Sequence, residues 1–255
     1  MTLFAQTQGS GPNIVLLHGW GLHSGIWSDV AAALALRYRV TCIDLPGHGR
    51  SADVVLADEL SAVAEQLAAT AQAPAVWIGW SLGGLLALQL ALSVSAQVRG
   101  LVVVAGSPRF VRDTDWPHAI EDVVLQQFAR ALDEDFEATL GRFLALQVRG
   151  SADAGATLRA LRARVLEQAA PQAAALRSGL KLLRESDLRM RLADIACPTQ
   201  FIFGARDLLA PAAIVEELSQ RMPGAMCSVI EGAGHAPFVS HPAQFLKLIE
   251  SALHE

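Results

Sequence analysis

The stretch "AVWIGWSLGG", Ala75 to Gly84, decides how the rest of the chain is read. Its first six residues form a short, apolar, aromatic-rich run, the composition of a buried strand. Ser81 follows, with Gly79 and Gly83 on either side, and then the apolar run "LLALQLAL" (85–92), a buried helix by length and content. G-x-S-x-G between a strand and a helix fits a sharp turn that lifts a serine hydroxyl above the sheet edge. Such a turn is tight, so the positions around Ser81 must lack side chains, and the serine backbone is strained. The helix beginning at Leu82 aims its free N–H groups and positive dipole end at the same spot. A capping serine in a glycine-rich turn is the simpler alternative, and only partner residues elsewhere displace it. Glu65 to Arg99 has no charge between its ends, which superficially suggests a membrane span. Pro74, the glycines, Gln66 and Gln89 break that run, so strand, turn and helix explain it better.

Outward from this stretch, apolar runs at 13–19, 39–45, 100–106, 199–207 and 226–235 read as further strands. Helical patterns lie between them at 27–36, 58–71, 82–95, 211–221 and 242–253. Strands apolar throughout, alternating with helices, predict an α/β fold whose mostly parallel sheet is flanked by helices on both faces. The alternation stops between Pro108 and Arg191. That span carries helical stripes such as Leu140, Phe143, Leu144 and Val148 instead. Its front is acidic ("DEDFE", 133–137), and from Arg142 to Arg191 it holds ten Lys/Arg against four Asp/Glu. The expected organisation is a core of 1–107 and 192–255 with a helical lid, 108–191, inserted between two strands.

Composition excludes several classes of function. A net charge of −5 gives no general bias toward nucleic acid, and 52% hydrophobic residues suffice for a large core. Cys42, Cys197 and Cys227 form no CxxC, and no histidine pair has HxH or HExxH spacing, so neither a disulfide framework nor a metal site is expected. The N-terminal "MTLFAQTQGSGPN" lacks a basic and an apolar region, which predicts a cytoplasmic protein. No cofactor, nucleic acid or membrane is expected, and a monomer is.

Asp207, ending a strand in "FIFGARDLLAP", and His235, following the next in "VIEGAGHAPF", supply the missing partners. Both fall at carboxyl ends of strands, where open α/β sheets bind ligands. In the order Ser, Asp, His they make a charge-paired nucleophile: His235 takes the Ser81 proton and Asp207 fixes the imidazole. Asp44, His48, His18 and His241 are competing candidates, read as turn and loop hydrogen-bonding groups. An oxyanion needs two donors. The Leu82 N–H is one, and the Trp20 N–H, in the loop "HGWG" (18–21), is the other. The Trp20 ring reads as a pocket wall, while Trp80 has no reading beyond packing.

Taken together, "LLHGWG", "DLPGHGRS", "GWSLGG", "GARD" and "GHAPF" resemble the α/β-hydrolase superfamily. More narrowly, "LLHGWGL", "GWSLGG", "RFLALQ" and "HAPFVSHPA" look like the pimeloyl-[acyl-carrier protein] methyl ester esterases of biotin synthesis. That resemblance implies removal of a methyl group from a pimeloyl chain on acyl carrier protein. It also implies the triad Ser81, Asp207 and His235, with Trp20 and Leu82 as oxyanion donors. Phe128, Phe143 and the lid leucines read as lining for an acyl channel beside the substrate, with lid core as the simpler alternative. Family arginines that hold the acidic carrier fall here on Arg142 and Arg159, while two others fall on Ala138 and Gly155. Arg149 and Arg162 lie close by. Three other readings stay open: a broad short-chain carboxylesterase, an acyltransferase using the same acyl-enzyme, and a non-catalytic ligand-binding protein of this fold.

Overall fold

A computed structural model of the chain describes residues 2–71 and 74–253. Seven strands form one sheet in the order β1-β3-β2-β4-β5-β6-β7. They are β1 (Ala5–Gln8), β2 (Asn13–Leu17), β3 (Arg39–Ile43), β4 (Ala75–Trp80), β5 (Val98–Val104), β6 (Thr199–Gly204) and β7 (Met226–Ile230). All pairings are parallel except β1 on β3. β4, which precedes Ser81, lies at the centre between β2 and β5.

Because side chains alternate along a strand, β4 splits its residues between two apolar layers. Ile78 and Trp80 join one cluster with Trp27, Val30, Phe245 and Ile249. These come from the turn before α1 (Ser28–Leu34), α1 itself and α10 (Pro242–Leu253). Trp77 joins the other with Leu67, Leu86 and Leu218, from α2 (Leu60–Thr70), α3 (Leu82–Ser93) and α8 (Val215–Arg221). α3 is buried along nearly its whole length, which is why its sequence carries no polar face.

Differences from the sequence reading concern polar or short pieces. β1, "AQTQ", is exposed and was not legible as a strand; it is held by its ladder to β3, not by apolar burial. The strands read as 13–19, 39–45, 199–207 and 226–235 end earlier, and their last residues become the loops that carry the site. The helix read at 211–221 is a 3-10 turn, Ala212–Ile214, leading into α8, and a short helix α9 (Pro237–Ser240) was not foreseen.

Between β5 and β6 the described chain holds four α-helices and no strand: α4 (Asp122–Glu134), α5 (Phe136–Val148), α6 (Ala154–Val165) and α7 (Ala173–Glu185), followed by a 3-10 turn, Arg189–Asp194. The two crossings between sheet and helices are clasped together. Arg109 on the outgoing side bonds Asp187 on the returning side at 3.0 Å. Arg189 bonds Asp113, Asp115 and Asp187, and Leu188 N–H donates to Pro108 O. Trp116 is buried beside this cluster, with the Arg221 guanidinium 5.3 Å from its ring centre. No helix among the described residues is long and apolar enough to cross a membrane.

Gly79 shows how closely the central turn is packed. A β-carbon there would lie 2.1 Å from the Gly83 carbonyl oxygen, a backbone atom that cannot swing aside. At Gly100, in β5, an added β-carbon meets nothing nearer than 3.5 Å. Urea unfolding should show Gly79→Ala destabilised by more than about 3 kcal/mol and Gly100→Ala within about 1 kcal/mol of the parent.

Candidate active site

Ser81 sits at φ 56° and ψ −116°, one of two positive-φ non-glycine residues among those described. Such backbone persists only where its surroundings over-determine it. Here Ser81 N–H donates to Val104 O on β5, while Gly84 and Leu85 N–H donate to Ser81 O from the first turn of α3. Gly83 lets that turn settle on the end of β2, since a β-carbon there would be 2.6 Å from both the Leu17 and His18 carbonyl oxygens. The two flanking glycines thus have the role read for them, with the contacting atoms now identified.

The loops after β6 and β7 bring the other two residues to Ser81. Gly204 makes this approach possible, because a β-carbon on it would lie 2.1 Å from Gly234 O. Asp207 Oδ1 accepts from the N–H groups of Leu209 (2.8 Å) and Ala210 (3.0 Å). Its Oδ2 accepts from His235 Nδ1 at 2.8 Å. The carboxylate only accepts, so the proton is on Nδ1 and Nε2 is left free to accept the Ser81 hydroxyl, 2.9 Å away. All three residues are at most 4% exposed. A serine, an imidazole and a carboxylate in this chain of contacts can deprotonate the hydroxyl as it attacks a carbonyl.

Of the expected oxyanion donors, Leu82 N–H is the first N–H of α3 and has no partner within the helix. Trp20 N–H has no acceptor among the described residues. Its direction is set by a residue read only as a loop hydrogen-bonder. His18 accepts the Leu45 N–H on Nε2 (2.9 Å), so Nδ1 carries the proton and donates to Gly19 O at 2.8 Å. Gly19 C=O and Trp20 N–H are opposite ends of one planar trans peptide, so holding the oxygen aims the N–H the other way. His48 adds a second fastening: its Nε2 accepts Gly21 N–H at 3.4 Å and its Nδ1 donates to Pro46 O at 2.8 Å. Asp44 accepts from Ser24 and Arg50 backbone N–H groups, and His241 bonds the Ser240 hydroxyl. These four competitors to the Asp–His pair are therefore fasteners of loops. That is the role read for them, but spacing carries no signal for the partners His18 and His48 find, which depend on two loops meeting.

The Trp20 ring departs from its reading as a pocket wall. It is fully buried, donates from Nε1 to Leu176 O at 2.9 Å and meets Phe143 edge-on at 4.6 Å. α5 and α7 close over it, and Gly179 on α7 has no room for a side chain against it. Phe143 is buried between Trp20 and Phe128. Outside these rings lies an apolar hollow of about 440 Å³ lined by Leu140, Leu144, Val165, Leu166 and Arg162. Leu140, in that lining, also comes against Gly21 of the 18–21 loop.

Arg142 and Arg159 are exposed, on α5 and α6. Most basic residues of the 142–191 span are neutralised: Arg164 by Asp29, Arg177 by Asp133, Lys181 by Asp58, Arg184 by Asp122, Arg191 by Asp194. Arg142, Arg149, Arg159 and Arg162 have no carboxylate partner among the described residues. No group of metal-ligating side chains occurs among those residues either.

Burial of the loop fasteners has a consequence for acid stability. Desolvation pushes His18 down to about 3 and His48 to about 4, from an ordinary 6.5, so both are neutral in the fold. The unfolded chain regains the ordinary value and binds protons that the folded chain refuses. Stability is therefore full above pH 6.5 and falls as pH drops toward the folded values. The expected slope is up to about 1.4 kcal/mol per pH unit for each imidazole. Urea unfolding across that window should show it, and His48→Gln should remove about half of it.

Known proteins fit this geometry. The model of the family described as "Alpha/beta hydrolase family" matches residues 14–248. A pimeloyl-[acyl-carrier protein] methyl ester esterase from Xanthomonas campestris pv. campestris is 46% identical over 246 residues, 96% of this chain and 95% of its own. One of the same name from Nitrosomonas europaea is 41% identical, covering 98% and 99%. Among solved structures, an esterase from Exiguobacterium antarcticum superposes with a TM-score of 0.86 over 99% of this chain and 96% of its own, at 21% identity, which speaks for the fold. With the match spanning nearly the whole chain, including the strand–turn–helix around Ser81, this chain belongs to the alpha/beta hydrolase family.

Proposed function

We propose that this protein is a serine carboxylesterase that hydrolyses the methyl ester of pimeloyl-[acyl-carrier protein], the step that commits the chain to biotin. The observation that carries the chemistry is the unbroken contact from Ser81 Oγ through His235 to Asp207. Ser81 attacks the ester carbonyl while His235 Nε2 takes its proton. The developing oxyanion sits on the Trp20 and Leu82 N–H groups, and Asp207 stabilises the imidazolium. Collapse expels methoxide, which leaves as methanol with the proton from His235. Water, deprotonated by the same imidazole, then cleaves the acyl-enzyme and frees the carboxylate. The proton transfers use side chains already within hydrogen-bond reach of one another.

The substrate assignment rests on the curated relatives and on the charge of the helical insertion. Residues 108–191 act as a lid over Ser81, with Phe143 and Phe128 beside the acyl chain. Arg142 on α5, Arg149 just past its end, and Arg159 and Arg162 on α6 have no carboxylate partner among the described residues, so they are the ones available to an acidic carrier. Ala138 and Gly155, where the resembled family has arginines, favour a second reading: a short-chain carboxylesterase that does not need the carrier.

The two are separated by substrate. Ser81→Ala should lower hydrolysis of both a small chromogenic ester and the carrier-bound methyl ester by at least about 10⁴-fold. Activity near the parent's would overturn the nucleophile. Replacing Arg142 and Arg159 together by Glu should leave the small ester within about twofold and cut kcat/KM on the carrier substrate by about tenfold, near 1.4 kcal/mol of docking. Equal losses on the two substrates would count against carrier docking on α5 and α6. Rescue of a biotin-requiring strain lacking its own esterase tests the biological assignment.

A further inference from the structure

His235 lies in a loop, between β7 and α9, and no ladder or helix fixes it. Its ring is held by Asp207, but a ring turns with its backbone, and that backbone is held at two points. His235 N–H donates to Gln147 O near the end of α5, at 2.9 Å. His235 C=O accepts from Trp80 Nε1 at 2.7 Å. Trp80 is the residue immediately before Ser81, and it is fully buried. Its ring is 5.7 Å from the His235 ring and meets Phe238 edge-on at 5.0 Å. It also packs against the loop that carries Trp20: a β-carbon on Gly19 would lie 3.2 Å from Trp80 Cε3.

One rigid side chain thus joins the three parts that must be in register. It is covalently next to the serine, it supports the loop that carries Trp20 N–H, and it donates to the carbonyl of the histidine. We propose that Trp80 is a positioning residue that sets the reach of His235 toward Ser81 through the Nε1–H donation. This rests on the triad reading above. Without the donor, the buried His235 carbonyl lacks its partner and the loop relaxes to find another. A displacement of about 1 Å at the base costs on the order of 10²-fold in rate while leaving substrate contacts in place.

Trp77 provides a matched control. It is on the same strand and fully buried, it donates from Nε1 to a backbone carbonyl, Gln97 O at 3.3 Å, and it faces the opposite layer. With a small chromogenic ester, Trp80→Phe should lower kcat by about 10- to 100-fold with KM within about twofold. The low-field proton resonance of His235 Nδ1–H should weaken or vanish by faster exchange. Trp77→Phe should lower Tm by a similar amount and keep both kcat and that resonance. If Trp80→Phe does not fold, 3-benzothienylalanine at position 80 keeps the ring shape and removes only the donor, and the same loss of kcat is expected. The proposal is overturned if Trp80 variants keep kcat within twofold of the parent, or if Trp77→Phe loses as much kcat for the same loss of Tm. An inactive parent, or an active Ser81→Ala, would overturn the triad reading instead.

Discussion

The backbone of Ser81 is the constraint on which the rest of the molecule depends. A serine at φ 56° is disfavoured on its own and must be compelled by its neighbours. Compulsion comes from three directions: β5 takes its N–H, the first turn of α3 takes its carbonyl, and β2 presses on Gly83 from below. The contact at Gly83 leaves no room for a methyl group. The central position of β4 follows from this, because only an interior strand has neighbours on both sides to hold the turn. An edge strand such as β1, exposed along its length, has no such support to give.

Around that turn the fold places polar groups where water does not reach them and satisfies nearly all of them locally. Burial of His18, His48 and Asp44 behind the oxyanion loop is costly unless each is paired, and each is. What remains unpaired is informative for the same reason. Among the described residues, Trp20 N–H has no acceptor, and Arg142, Arg149, Arg159 and Arg162 have no carboxylate partner. The first is the donor proposed for the oxyanion, and the four arginines are exposed.

Legibility in the sequence followed the physical origin of each feature. Buried parallel strands are apolar throughout, so β2, β4, β5 and β6 could be read directly. β1 owes its existence to hydrogen bonds with β3 and carries no such mark. Ser81, Asp207 and His235 were readable because a strained turn demands glycines and because open sheets gather chemistry at strand ends. The loop hydrogen-bonding role of His18, His48, Asp44 and His241 was readable as well, but not the partners each one finds. That His18 aims the Trp20 peptide, that Arg189 ties three aspartates, and that Trp80 reaches His235 all depend on segments distant in sequence meeting in space. The Trp20 ring was misplaced because its two flanking glycines suggest openness, whereas α5 and α7 come down over it.

The clasp of Arg109, Asp187 and Arg189 bears on how the sheet is assembled. β5 and β6 are neighbours, with Leu101 beside Thr199, yet all four helices of the insertion come between them. Bringing such distant segments together is entropically unfavourable, and the penalty grows with the length of chain that must be closed. Once the helices have formed and Pro108 is joined to Leu188, the gap that β5–β6 pairing must close is only the short run on either side of that junction. The insertion would then close as a local loop whose ends already meet, leaving β5–β6 pairing with the closure entropy of a much shorter chain.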